Sequence, residues 1–146
     1  ITKTGGKVYV DFAHTPDALK HLLETLRELT NGELVLVFGA GGGRDRDKRK
    51  PMGAIAYKYC DLIYVTDDNP RYEDAKFIRK QIIEGCPIAI EIEDRAEAIT
   101  TAIQLAQLND VVIIAGKGHE QVQIVRDNYF PFSDFEQASV AIELME

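Results

Sequence analysis

The sequence predicts an α/β fold: a Rossmann-like open, mainly parallel sheet with helices on both faces and a C-terminal β-hairpin. Three observations carry this. Short apolar runs alternate with segments whose leucines, isoleucines and alanines recur at helical spacing. Most of these runs end in a turn rich in glycine, Asp or Asn. The last alternation is followed by two β-rich runs around Asp127-Asn128.

Residues 7–12 read as the first strand. Thr15 stands where an N-cap belongs and Pro16 suits a first helical turn, where its missing N–H costs nothing. Leu19, Leu22, Leu23, Leu26 and Leu29 follow at helical spacing, and Asn31-Gly32 ends the segment. Residues 34–38 form a continuous apolar run, the pattern of a strand covered on both faces. Beyond a glycine-rich turn come a helix over 52–59 and a strand over 62–66. Residues 75–84 read as a helix closed by Gly85, with Pro87 barring its continuation. A strand over 88–92 precedes Asp94, which caps a helix, with Glu97 completing a capping box. Ala98, Ile99, Ala102, Ile103 and Ala106 line one face of that helix. Residues 110–115 are the next strand, and 122–125 with 129–132 the hairpin. Ser133 and Glu136 form a second capping box before the last helix.

Composition narrows the function. The 146 residues, 45% of them apolar, are enough for one domain, 1–146, with its own core. The net charge of −7 is opposite to that of a duplex-binding domain, so no nucleic-acid partner is expected. Five cations (Arg44, Arg46, Lys48, Arg49, Lys50) nevertheless crowd one turn beside Asp45 and Asp47. That turn is either a site for a small anion or a solvated charged loop. Apolar runs such as 111–115 fall far short of the ~20 residues that span a bilayer, and no signal peptide opens the chain. A cytoplasmic location and no membrane partner are expected. Cys60 and Cys86 match neither a disulfide framework nor a zinc-ligand spacing, so they are expected to be reduced, partly buried thiols, with no metal site.

In such a sheet, ligands bind beyond the carboxyl ends of the strands, so four turns matter. Gly39-Ala40-Gly41-Gly42-Gly43-Arg44 follows a strand but lacks the Lys-Ser/Thr of a P-loop, and Arg44 holds the third glycine position of a dinucleotide fingerprint. It is a tight turn, or a place where Arg44 offers a planar fork to an anion. Asp67-Asp68-Asn69-Pro70-Arg71 is an Asx-Pro turn whose Arg71 pairs with Glu73 or Asp74, or a carboxylate-recognising pair of Asn69 and Arg71. Gly116-Lys117-Gly118-His119-Glu120 unites donor, titratable and acceptor side chains. No nucleophile partners His119, and His14 beside Asp11 is as readily a structural histidine.

Taken in order, these turns resemble the C-terminal domain of the Mur ligases, and most closely the diaminopimelate-adding members. The resemblance rests on Asp11-Phe12-Ala13-His14-Thr15-Pro16-Asp17, Phe38 to Gly42 with Arg44-Asp45, Asp67 to Arg71 and Gly116 to Glu120, joined by Asp94 to Ile99 and Phe132 to Asp134. Phe12 stands where the family more often has tyrosine. The resemblance implies the closing, amino-acid-binding domain of an ATP-dependent ligase of peptidoglycan synthesis. That enzyme joins meso-diaminopimelate to UDP-N-acetylmuramoyl-L-alanyl-D-glutamate through an acyl phosphate. ATP and Mg2+ would be held mainly by a central domain, and the UDP substrate by an N-terminal one, both absent from this chain. The domain alone is expected to be inactive, with no catalytic residue of its own. The resemblance also assigns substrate contacts to Arg44, Asn69, Arg71, Gly116 and Glu120. It makes Asp68-Asn69-Pro70-Arg71 the specificity motif and has Asp11 and His14 meet the nucleotide on closure. The alternatives are a lysine-adding or other Mur-type ligase, or a freestanding anion- or nucleotide-binding α/β module.

Overall fold

The computed structural model describes residues 2, 4–43 and 46–145. Along the chain run β1 (Lys7–Asp11), α1 (Pro16–Leu29), β2 (Leu34–Phe38), a 3-10 turn (Arg46–Lys48) and α2 (Arg49–Tyr59). They are followed by β3 (Leu62–Val65), α3 (Ala75–Ile83), β4 (Ile90–Glu91), α4 (Arg95–Leu105) and β5 (Val111–Ala115). The hairpin β6 (Val122–Val125) and β7 (Asn128–Pro131) precedes α5 (Asp134–Glu143). The main sheet has the order β1-β5-β2-β3-β4, and its pairings are all parallel. Leu34 and Lys7 both sit opposite Val111, which sets the register of the centre.

β2 and β5 are buried at every position because each lies between two strands and two helical layers. Side-chain alternation divides the core. Leu34, Leu36, Phe38 and Ile113 face Leu19, Leu23 and Leu26 of α1, Met52 and Ala56 of α2, and Ile78 and Ile82 of α3. Val35, Val37, Val112 and Ile114 face Ala98, Ile99, Ala102 and Ile103 of α4 and Ala138 and Ala141 of α5. At about 25 cal/mol per Å2 of apolar surface, these two layers supply the main driving force for folding. No helix among the described residues is long and apolar enough to cross a membrane.

The helix starts follow local chemistry. Thr15 Oγ1 accepts from the Ala18 N–H (3.2 Å) and Ser133 Oγ from the Glu136 N–H (3.2 Å). The Asp94 carboxylate instead accepts from Ala96 (3.1 Å), one residue short of the bond a capping box requires. α1 stops at Leu29, with Thr30 as its C-cap, ahead of the expected Asn31-Gly32. α2 begins at Arg49 because the 3-10 turn leads straight into it, and Pro51 is tolerated in its first turn. β4 has two residues, not five: the bond from Ala89 N–H to the Cys86 carbonyl folds its expected start into a turn. The hairpin turn is Arg126-Asp127, with Val125 opposite Asn128 and Arg126 at φ +54°. Both cysteines are free and buried, and burial pushes their thiols up to about 12 (Cys60) and about 11 (Cys86).

One buried ion pair ties the layers to the carboxyl end of the sheet. Arg95, the first residue of α4, donates from Nε and Nη2 to the two carboxylate oxygens of Asp134 at 2.7 Å each, and both side chains are fully buried. Two of its three remaining N–H groups reach the Asp67 and Ala115 carbonyls at 3.1 Å. One guanidinium thereby fixes where β3 and β5 release the chain into their exit turns.

Candidate functional site

The strand order sets β1, β5, β2 and β3 side by side, so their exit turns lie along one rim. They enclose a cleft of about 180 Å3. The turn after β1 contributes Phe12 and His14, and that after β5 contributes Gly116 and Glu120. Asp68, Asn69 and Arg71 come from the turn after β3, Gly41 from the glycine loop, and Lys48 from the 3-10 turn beyond it.

Asn69 is held by both of its polar atoms. Its Oδ1 accepts from Lys117 Nζ (2.7 Å) and from the Ile124 backbone N–H (2.9 Å), while its Nδ2 donates to Glu120 Oε1 (3.3 Å). Arg71 Nη1 donates to the Gly42 carbonyl (3.1 Å) and the Asn69 carbonyl (3.4 Å). The Arg71 backbone is left-handed, at φ +54°, and hairpin bonds hold it there. Its N–H donates to the Ile124 carbonyl (3.1 Å), and its own carbonyl accepts from Arg126 (2.7 Å). The hairpin therefore braces the Asn69–Arg71 turn.

Two glycines allow the turns to meet. A Cβ on Gly42 would run into the Pro70 carbonyl. Gly116 adopts φ +114°, and a Cβ there would stand 2.9 Å from Asp68 Oδ2. The glycine loop is held from behind by Arg49, which is fully buried and bidentate to Glu73 (2.9 and 3.0 Å), with further bonds to Gln81 Oε1 and the Gly41 carbonyl. Glu73 Oε1 also accepts from the Gly43 N–H (2.7 Å). The Arg49 guanidinium, overcoming the cost of burial, holds the Glu73 carboxyl down at about 2. Glu73 is thus the partner of Arg49, and not of Arg71 as a purely structural reading of Arg71 would have it.

The cleft carries both charge signs: Asp68 and Glu120 against Arg71 and Lys48, with Lys117 beneath. Lys117 is wholly buried, its Nζ 3.3 Å from Asp68 Oδ1 and 3.5 Å from Glu120 Oε1. Asp67, on the far side of the same turn, binds Arg79 (2.5 Å), yet burial still pushes its carboxyl above the ordinary value. Such a constellation suits a small dipolar ligand with separated carboxylate and ammonium groups. Among the described residues no cluster of three or more His, Cys, Asp and Glu side chains is placed to hold a metal ion.

The family described as "Mur ligase, glutamate ligase domain" matches residues 1–118. The chain belongs to the Mur ligase family. It is 54% identical over 139 residues to the "UDP-N-acetylmuramoyl-L-alanyl-D-glutamate--2,6-diaminopimelate ligase" of Caulobacter vibrioides, covering 95% of this chain and 29% of that protein. It is 48% identical over 145 residues to the ligase of the same name from Agrobacterium fabrum (99% and 30%). A solved structure with that ligase name superposes at a TM-score of 0.92 and 39% identity, covering 98% of this chain and 30% of that one. This chain thus spans about 30% of the length of the relatives it matches.

For this Mur ligase domain, the residues singled out in the sequence fall as follows. Asn69, Arg71, Gly116, Glu120, Asp68 and His14 line one cleft, and Pro70 packs against the glycine loop beside it. Arg44 lies outside the described residues. Asp11 adjoins the cleft, but its carboxylate accepts from the Ala13 N–H (2.8 Å) and caps its own turn. His14 is exposed at the rim, its Nδ1 2.9 Å from the Phe12 carbonyl and its ring edge-on to Phe12. Lys48 stood in the sequence as one of five cations in a turn read as a small-anion site or a solvated loop, and it lines the cleft. Lys117 was assigned no role, and the Gly42 carbonyl and the hairpin brace were missed. The lysine between two glycines at a strand exit was the one legible signal among these.

Proposed function

We propose that this chain is the C-terminal, amino-acid-binding domain of an ATP-dependent ligase that adds meso-diaminopimelate to UDP-N-acetylmuramoyl-L-alanyl-D-glutamate in peptidoglycan synthesis. The observation that carries the reading is the convergence of Asn69, Arg71, Gly116 and Glu120, from two separate exit turns, on one cleft of mixed charge. The similarity to ligases named for 2,6-diaminopimelate supports it.

In this reading Arg71, with Arg44, grips the distal carboxylate of meso-diaminopimelate, and Asn69 orients it. Glu120 and the Gly116 carbonyl accept from the distal ammonium. L-Lysine lacks that carboxylate, so binding it would leave guanidinium groups desolvated and uncompensated. Sites built around a polar group reject analogues lacking it by roughly 10^4–10^5. ATP phosphorylates the D-glutamate carboxylate, and the diamino acid's amine attacks the acyl phosphate and releases phosphate. The glycine loop here lacks the lysine of a P-loop, so ATP and Mg2+ are assigned to parts of the ligase outside this chain, and the UDP substrate likewise. His14 and Asp11 would approach the nucleotide on closure. This domain's contribution is positioning of the amine, a mechanism worth roughly 7–11 kcal/mol where geometry is optimal. A cytoplasmic location fits this reading, because the reaction draws on ATP.

The test is Arg71→Ala in the full-length ligase. KM for meso-diaminopimelate should rise roughly 10- to 150-fold, the value of a charge-assisted hydrogen-bond pair, while KM for ATP stays within about twofold. Equal increases for both substrates would contradict this reading.

A further inference from the structure

The geometry points to Lys117 as a positioning residue for ligand recognition, one that fixes which way the Asn69 carboxamide faces and where Glu120 sits. The inference deepens the proposed function and rests on it. Lysine is almost never fully buried without partners, because taking an ammonium out of water is costly. Lys117 has no exposed surface, and its ammonium meets four groups: Asn69 Oδ1 (2.7 Å), the Val122 carbonyl (3.0 Å), Asp68 Oδ1 (3.3 Å) and Glu120 Oε1 (3.5 Å). Two belong to the turn after β3, one to the turn after β5, and one to the start of the hairpin. The ammonium touches all three.

Asn69 shows what this does. A carboxamide has an oxygen that only accepts and a nitrogen that only donates. Lys117 Nζ and the Ile124 N–H are both donors, so the amide oxygen must face them. The nitrogen is thereby forced toward Glu120 and the cleft. Asn69 consequently presents a donor to the ligand, the polarity that a carboxylate needs and an ammonium repels. Without Lys117 one of the two donors holding the oxygen is gone, and the buried Asp68 and the Glu120 carboxylate lose the cation between them. The amide is then held by the Ile124 N–H and Glu120 alone, and like charges face each other across the cleft.

The experiment uses the full-length ligase that contains this chain, assayed for ADP release with meso-diaminopimelate, L-lysine and ATP varied in turn. For Lys117→Met, KM for meso-diaminopimelate should rise about 10-fold or more with KM for ATP within about twofold, and the preference over L-lysine should fall by a similar factor. Combined with Asn69→Ala, the increase should fall well short of the product of the two single effects, because one variant acts through the other. An unchanged KM for meso-diaminopimelate, or multiplicative effects, overturns the assignment. Should Lys117→Met fail to fold, Asn69→Asp decides. It keeps the single oxygen that accepts from Lys117 and Ile124 but removes the donor, so KM for meso-diaminopimelate should rise; an equal or lower KM overturns the assignment. A wild-type enzyme that does not use meso-diaminopimelate would instead overturn the proposed function, a result distinct from any of these.

Discussion

Arg49 and Glu73 show how single residues prepare this site without lining it. The pair holds the glycine loop through the Gly41 carbonyl and the Gly43 N–H. Because the folded Glu73 carboxyl sits at about 2 against an ordinary 4.5, its contribution to stability is complete above 4.5 and is lost as pH falls toward 2. Urea midpoints of the chain and of Glu73→Gln, compared between pH 6 and pH 3, should therefore converge as pH falls; a constant gap would show that the carboxylate charge is not what stabilises the loop. A left-handed backbone at a non-glycine residue costs about 1–2 kcal/mol, and at Arg71 the bonds to Ile124 and Arg126 hold it. Nothing in the local sequence signals that conformation, since Asn69-Pro70-Arg71 is compatible with ordinary turns.

Between elements, the Arg95–Asp134 pair is the principal polar joint. It links the start of α4 to the start of α5, to a carbonyl of the β3 exit turn and to the last carbonyl of β5. Removing one member leaves a buried charge without its partner, so Asp134→Ala should cost about 3–5 kcal/mol in urea unfolding. The double replacement Arg95→Met with Asp134→Leu should recover most of that loss, because a packed apolar pair does not leave a charge stranded. A double variant no more stable than Asp134→Ala would show that the carbonyl contacts of Arg95 matter more than the ion pair. Element identity was largely legible in the sequence: the apolar runs at 34–38 and 111–115 are the two fully buried strands, and Thr15 and Ser133 cap as their positions imply. The shortened β4 and the shifted hairpin turn were not. The first depends on a turn bond at Cys86, the second on a left-handed arginine, and neither leaves a compositional mark.

At the scale of the whole molecule, the sheet order is what turns four distant sequence segments into one cleft. The turns were identifiable one by one, because glycine, Asp, Asn and Pro punctuate strand ends. The contacts between them were not, because Asn69–Lys117 and Asn69–Ile124 join residues 48 and 55 positions apart. Lys117 stands out in the sequence between two glycines at a strand exit, but its burial and its partners are set only when the fold closes over it. In the proposed function, this rim distinguishes a diamino acid with a distal carboxylate from one without. The most direct measurement is kcat/KM of the full-length ligase for meso-diaminopimelate and for L-lysine under identical conditions. A preference for meso-diaminopimelate of roughly 10^4 is expected, and comparable values, or a preference for L-lysine, would contradict the account.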